Sequence, residues 1–200
     1  MSDLTITNAG VSVTKNTGGE VLSNNKKLNQ MNIDSFDITA TLTGDGTSGD
    51  VMFVTTKIEN AMSAKGGSGI LQSVSAVLTD NATDASGTGS NVTGAFKLVF
   101  TSNSQVLGAV SNPLADRVVD GGGTGNIDNW SRAVLDDILA IVDITNIVDM
   151  GELSVASKTN IGAVLTAVSD SRDIYVWGIT NSTNDYNSAT ISLKFGIVQD

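Results

Sequence analysis

Apolar side chains fall on every second position through much of this chain. In Asp37–Thr43, Ile38, Ala40 and Leu42 alternate with Thr39, Thr41 and Thr43. Ala95–Thr101 puts Phe96, Leu98 and Phe100 on one side. Asp173–Thr180 sets Tyr175, Trp177 and Ile179 opposite Ile174 and Val176. Ala189–Val198 sets Ile191, Leu193, Phe195 and Ile197 opposite Ser192, Lys194 and Gly196. Successive side chains of a strand point to opposite faces, so this alternation predicts strands with one apolar and one wet face. That is the signature of antiparallel sheets. Weaker strand candidates are Leu4–Thr7, Val11–Thr14, Val51–Lys57, Ile70–Thr79, Ala140–Ile144 and Ile161–Val168, and the apolar run Val142–Met150 can also form one.

Turn-forming stretches separate these segments: Thr43–Gly49, Lys65–Gly69, Asp80–Gly94 and Asp120–Asn126. Glycine supplies the positive φ that tight turns need, and Asn and Asp tolerate it. One segment departs from period two. In Asp128–Ile141, Trp130, Val134, Leu135, Ile138 and Leu139 recur at helical spacing, with Asp128 or Asn129 available as a cap, which predicts a short α-helix. Asn16–Asn32 is rich in Asn, Lys and Gly and poor in apolar residues. The expected organisation is an extended N-terminal arm over 1–35 and a single domain over 36–200. Many short strands with one helix imply a mainly β fold, an antiparallel β-sandwich resembling a jelly roll.

Composition narrows the chemistry. Of the 200 residues, 40 % are hydrophobic but only 4 % aromatic, so the core must be built from Val, Ile, Leu and Ala. The chain has no cysteine and no histidine. Disulfides, thiolate metal sites, Cys nucleophiles and Ser-His-Asp triads are therefore excluded. The net charge of −10 would repel a phosphate backbone, and the densest basic grouping is Lys26–Lys27, so no direct nucleic-acid partner is expected. MSDLTITNAG has neither a basic start nor an apolar run, and nowhere do 18 apolar residues follow one another. Neither a secretory signal nor a membrane partner is expected.

Each remaining motif has a plain explanation. Gly44–Asp50 offers Asp45 and Asp50 in a glycine loop, but EF-hand spacing is missing and a hairpin turn accounts for it. Gly121–Gly125 lacks the Lys-Ser/Thr pair of a phosphate loop. Carboxylate pairs occur at Asp136–Asp137, Asp149/Glu152 and Asp170/Asp173, and surface acids are expected in an acidic chain. Ser157 and Lys158 are adjacent, which points their side chains apart on a strand. Asn-X-Ser/Thr triplets at Asn81, Asn91 and Asn181 matter only on a eukaryotic secretory route. No catalytic, cofactor-binding or metal-ligating residue is assigned, no cofactor is expected, and the chain is read as a non-enzyme.

A sequence of segments carries a resemblance. Lys65-Gly66-Gly67-Ser68-Gly69-Ile70-Leu71-Gln72-Ser73-Val74 leads through a strand to Thr79-Asp80. Phe96-Lys97-Leu98-Val99-Phe100 follows, then Asn103 to Gly108, then Arg172-Asp173-Ile174-Tyr175-Val176-Trp177 and a long strand ending at Gln199. Over residues 57 to 200 this order resembles the small, acidic, Gly/Thr-rich virion proteins of tailed bacteriophages, of the head decoration or cement kind. The resemblance implies a β-sandwich on the outside of the virion, made in the host cytoplasm. It also implies self-association, commonly as a homotrimer, and the major capsid protein as partner. The alternatives are a tail, fibre or surface-adhesion module binding host glycan and, last, a polysaccharide-active enzyme using Asp136, Asp137, Asp170 or Asp173.

Overall fold

A computed structural model describes residues 4–8, 11–15, 21–23, 33–42, 45–79, 94–105, 136–150, 153–181, 184–185 and 189–199. The chain divides into two units, residues 1–32 and 33–200. The first contains an antiparallel meander of β1 (Leu4–Asn8), β2 (Val11–Lys15) and β3 (Val21–Ser23), in which Ile6 pairs with Val13.

The second unit is a β-sandwich. One sheet has five strands in the order β10-β11-β7-β14-β4: β4 (Ile33–Thr41), β7 (Ser68–Thr79), β10 (Ile147–Asp149), β11 (Leu153–Thr166) and β14 (Thr190–Gln199). The other has four in the order β6-β12-β8-β9: β6 (Val51–Ile58), β8 (Phe96–Thr101), β9 (Ile138–Ile144) and β12 (Ile174–Thr180). Asp45–Gly46 (β5) pairs with Asn184–Asp185 (β13). All strand pairs are antiparallel. β4 lies beside β6 and β9 beside β11, so the sheets approach along both seams.

The expected inner faces form the core. Ile191, Leu193, Phe195 and Ile197 of β14 meet Phe96, Leu98 and Phe100 of β8 in one buried cluster, which Leu71, Val74, Ala76 and Leu78 of β7, beside β14 in the register, also join. The expectation of one wet face per strand fails for β8 and β12. Val99, Trp177, Ile179 and Val51 form a second buried cluster, separate from the core between the sheets. On β12, Ile174 and Val176 belong to the first cluster and Trp177 and Ile179 to the second, so both faces of this strand are buried.

The expected helix over 128–141 is also corrected. Its residues 128–135, including Trp130, lie outside the described residues. Asp136 and Asp137 have helical backbone, but the chain is β9 from Ile138 onward. Ile138–Ile141 satisfies both periodicities. Pairing with β8, where Val142 meets Leu98 and Ile144 meets Phe96, decides in favour of the strand.

β11, at 14 residues, is longer than the expected Ile161–Val168 and reaches back to Leu153. A bulge interrupts its pairing with β7 between Thr159 and Ala163, with Asn160 at φ 57° and Gly162 at φ 70°. These left-handed residues suit Asn and Gly, and the extra length lets Ile161 pack against the core.

Candidate interaction surface

Three of the described acids, Asp50, Asp137 and Asp173, hold loops in place. Asp137 accepts hydrogen bonds from Ser102 Oγ (3.0 Å) and Asn103 Nδ2 (2.9 Å) at one oxygen and from Gln105 Nε2 (2.9 Å) at the other. Its own carbonyl accepts the Ser102 N–H at 3.0 Å. Three donors on one carboxylate tie the segment after β8 to the start of β9. Asp50, buried, accepts from Thr47 N (2.7 Å) and Thr47 Oγ1 (2.8 Å) and so closes the turn before β6. Thr180 Oγ1 donates to the Thr47 carbonyl and fixes that turn to the end of β12. Asp173 caps Asn60 N at 2.9 Å, where the backbone turns through φ 54°.

Asp136, Asp149 and Asp170 are exposed, and Glu152 lies outside the described residues, as do Gly121–Gly125, Asn81, Asn91 and Asn16–Gln30 apart from Val21–Ser23. Among the described residues no three acids stand close enough to hold a metal ion, and no helix is long and apolar enough to cross a membrane. Asn181 is exposed at the end of β12.

Lys57, Lys97, Lys158 and Lys194 are likewise partnered. Lys57 bridges Glu59 at 3.0 Å and Asp173 at 3.6 Å. Hydrogen bonding to Glu59, then the charges of Glu59 and Asp173, raise its pKa above the usual lysine value. A nucleophilic lysine needs the opposite shift. Lys57 lies in a cleft of about 500 Å³ along the β4–β6 seam, with Asp37, Glu59, Phe36 and Ile58 among its walls. Lys158 reaches across the other seam and donates to the Asp143 carbonyl at 3.0 Å. It acts as a tie between sheets, pointing away from a role with Ser157. Trp177 is fully buried and Tyr175 half-buried, so Trp177 offers no platform for stacking a sugar.

The outer face of the five-stranded sheet is open to solvent among the described residues. The pairing register lines up Val164 of β11, Ile70 of β7, Val198 of β14 and Ile33 of β4 in one row across four strands. Val164 and Ile33 are each 59 % exposed. A second row, Val148–Val155–Val77, crosses β10, β11 and β7 nearer the other end. Of the seven large hydrophobic residues exposed among the described ones, Ile33, Val77, Val148 and Val164 belong to this face, so it concentrates the exposed apolar surface.

Between the rows lies a band of hydroxyls. Ser157 and Ser75 belong to it, and so do Thr159, Ser73 and Ser35. Thr39 Oγ1 and Ser192 Oγ, which continue the Val77 row onto β4 and β14, stand 3.4 Å apart at the edge of a shallow trough of about 330 Å³ that Val77, Ser75 and Lys194 also line. Among the described residues that the register places on this face, Lys194 and Asp37 are the two charged ones, 3.6 Å apart and opposite in sign. The described residues of this face are thus neutral in sum, in a chain of net charge −10. Sequence reading missed this surface, although a signal was present: Ile33, Ile70, Val164 and Val198 are β-branched apolar residues at positions where alternation calls for polar ones.

No protein-family model matches the chain, and none of the curated proteins matches it in sequence.

Proposed function

We propose that this chain is a non-catalytic structural protein of a virion, a decoration or cement protein that binds the outside of a tailed-phage head through protein–protein contacts. The observation that carries this reading is the neutral, apolar-rowed face of the five-stranded sheet. It is a preformed contact surface on a protein whose acidity otherwise discourages association. Support also comes from the commitment of the carboxylates of Asp50, Asp137 and Asp173 to loops, and from the tie of Lys158 across the β9–β11 seam of the sandwich. Such a body is suited to bearing load. The major capsid protein is the partner, and self-association is part of the role.

The test is co-sedimentation of the purified chain with heads assembled from the major capsid protein of its source phage. The expected result is saturable binding and a higher temperature of head disruption, with no retention of free DNA. A chain that stays in the supernatant at every concentration overturns the proposal. The glycan-binding alternative loses its best candidate residue, because Trp177 is buried.

A further inference from the structure

We infer that the outer face of the five-stranded sheet takes a second copy of this chain, sheet face against sheet face. This inference rests on the assembly role proposed above and names the contact that would carry part of it. Three observations converge on a second copy as the occupant.

Charge is the first. Two molecules of net charge −10 repel one another over most orientations. On this face the Lys194–Asp37 pair cancels, so like copies can approach here without that penalty. A strongly charged partner would find nothing to match.

Shape is the second. The rows Val164–Ile70–Val198–Ile33 and Val148–Val155–Val77 run across the strands near opposite ends of the face. A two-fold axis lying between two such faces sets a row of one copy against a row of the other. The hydroxyl band and the Lys194–Asp37 pairs then meet at the centre, where Lys194 of each copy can also reach an acid of the other. An isologous contact of this kind is self-complementary and closes as a pair. Gly196 sits within this band, and a Cβ there would meet Ile33 Cγ2 at 3.0 Å, so its lack of a side chain keeps the face low beside the row.

Area is the third. Four full strands at about 4.8 Å spacing and about 30 Å length present about 600 Å² a side. The pair would bury about 1,200 Å², the lower end of what specific interfaces use. Sheets stack at about 10 Å with β-branched side chains interleaved, and Val and Ile supply these in both rows.

The experiment is sedimentation equilibrium of the full chain across a concentration series, with three variants. The wild type is expected at twice the 20.6 kDa of one chain. Val164→Glu places like charges in the row of each copy and should weaken pairing at least tenfold, with an unchanged circular dichroism spectrum because the position is exposed. Lys194→Glu leaves two acids on a formerly neutral face. Its loss of pairing should be reversed by added salt, which a folding defect would not be. Ile141→Glu, 57 % exposed on β9 of the other sheet, should pair as the wild type does.

A wild type that stays monomeric overturns the inference, as does a trimer indifferent to Val164→Glu, or equal weakening by Ile141→Glu. Binding to heads is scored separately. A monomer that still binds heads sinks the pairing and leaves the virion role standing. A pair that ignores heads does the reverse.

Discussion

Phe100 on β8 and Phe195 on β14 meet edge to face, with ring centroids 5.5 Å apart and planes at 83°. One ring belongs to each sheet, so this contact joins the two layers at the centre of the core. The ring edge carries the positive part of the quadrupole and lies against the negative face of its neighbour. In a chain with five phenylalanines, few other side chains could span the gap. Phe195→Ala should therefore cost about 3–5 kcal/mol, the range for emptying a buried aromatic site. Urea unfolding followed by far-ultraviolet circular dichroism checks this. A loss below about 1 kcal/mol would mean that the layers do not depend on this pair.

Gly178, in the middle of β12, faces the ring of Phe53 on β6. A Cβ at this position would come within 2.6 Å of Phe53 Cδ1 and closer still to Cε1. The two residues are paired in the register where β12 and β6 slip past one another, so neither strand has slack to yield. Gly178→Ala should destabilise by about 1–3 kcal/mol, as overpacking does. Adding Phe53→Ala should give less than the sum of the two single losses, and a double-mutant cycle measures the coupling.

Asp137 accepts from three side-chain donors on the segment that follows β8, and Gln105 Nε2, one of them, otherwise has only a 3.5 Å contact with the Asn103 carbonyl. Asp137→Ala strands those donors, and Gln105 is buried, so its amide cannot turn freely to water. The expected loss is about 1–3 kcal/mol. Hydrogen exchange should show faster opening at Ser102, whose N–H bonds the Asp137 carbonyl, while the centre of β12 keeps its protection. Uniform loss of protection across both strands would contradict a local tie.

Lys57 gives the one pH dependence with a defined sign. Its folded pKa is raised above 10.5, chiefly by the hydrogen bond to Glu59 and then by the charges of Glu59 and Asp173. A group raised on folding stabilises fully below its unfolded pKa, and that contribution fades as pH climbs through the folded value. The melting temperatures of the wild type and Lys57→Met should therefore differ by a constant amount at neutral pH and converge above pH 10.5. Because the ammonium is exposed, the difference should be small and shrink with salt. A gap that widens with alkalinity would show that the ion pair is not its source.

Much of the sandwich was legible from alternation alone. Ile191, Leu193, Phe195 and Ile197 occupy the inner face read for them, and so do Phe96, Leu98 and Phe100. These positions follow local rules, since burial of one face is enough to phase a strand. The first half of β11 was not legible. Ser154, Ser157, Lys158 and Thr159 give no apolar rhythm, and only pairing with β7 makes a strand of them. Alternation places Trp177 on one face of its strand, but its separate cluster with Val51 and Val99 depends on residues distant in the chain.

Residue order alone settled the class of the fold, the absence of cysteine and histidine chemistry and the inward faces of the long strands, because side-chain alternation and composition are local properties. Which strands became neighbours was decided in three dimensions. Ile33, Ile70, Val164 and Val198 lie far apart along the chain, and each alone is an unremarkable exception to alternation. Only the register of β11, β7, β14 and β4 brings them into one row, and only the cross-strand meeting of Lys194 with Asp37 leaves that face uncharged. Long-range pairing sets such adjacency, and no short window of sequence contains it.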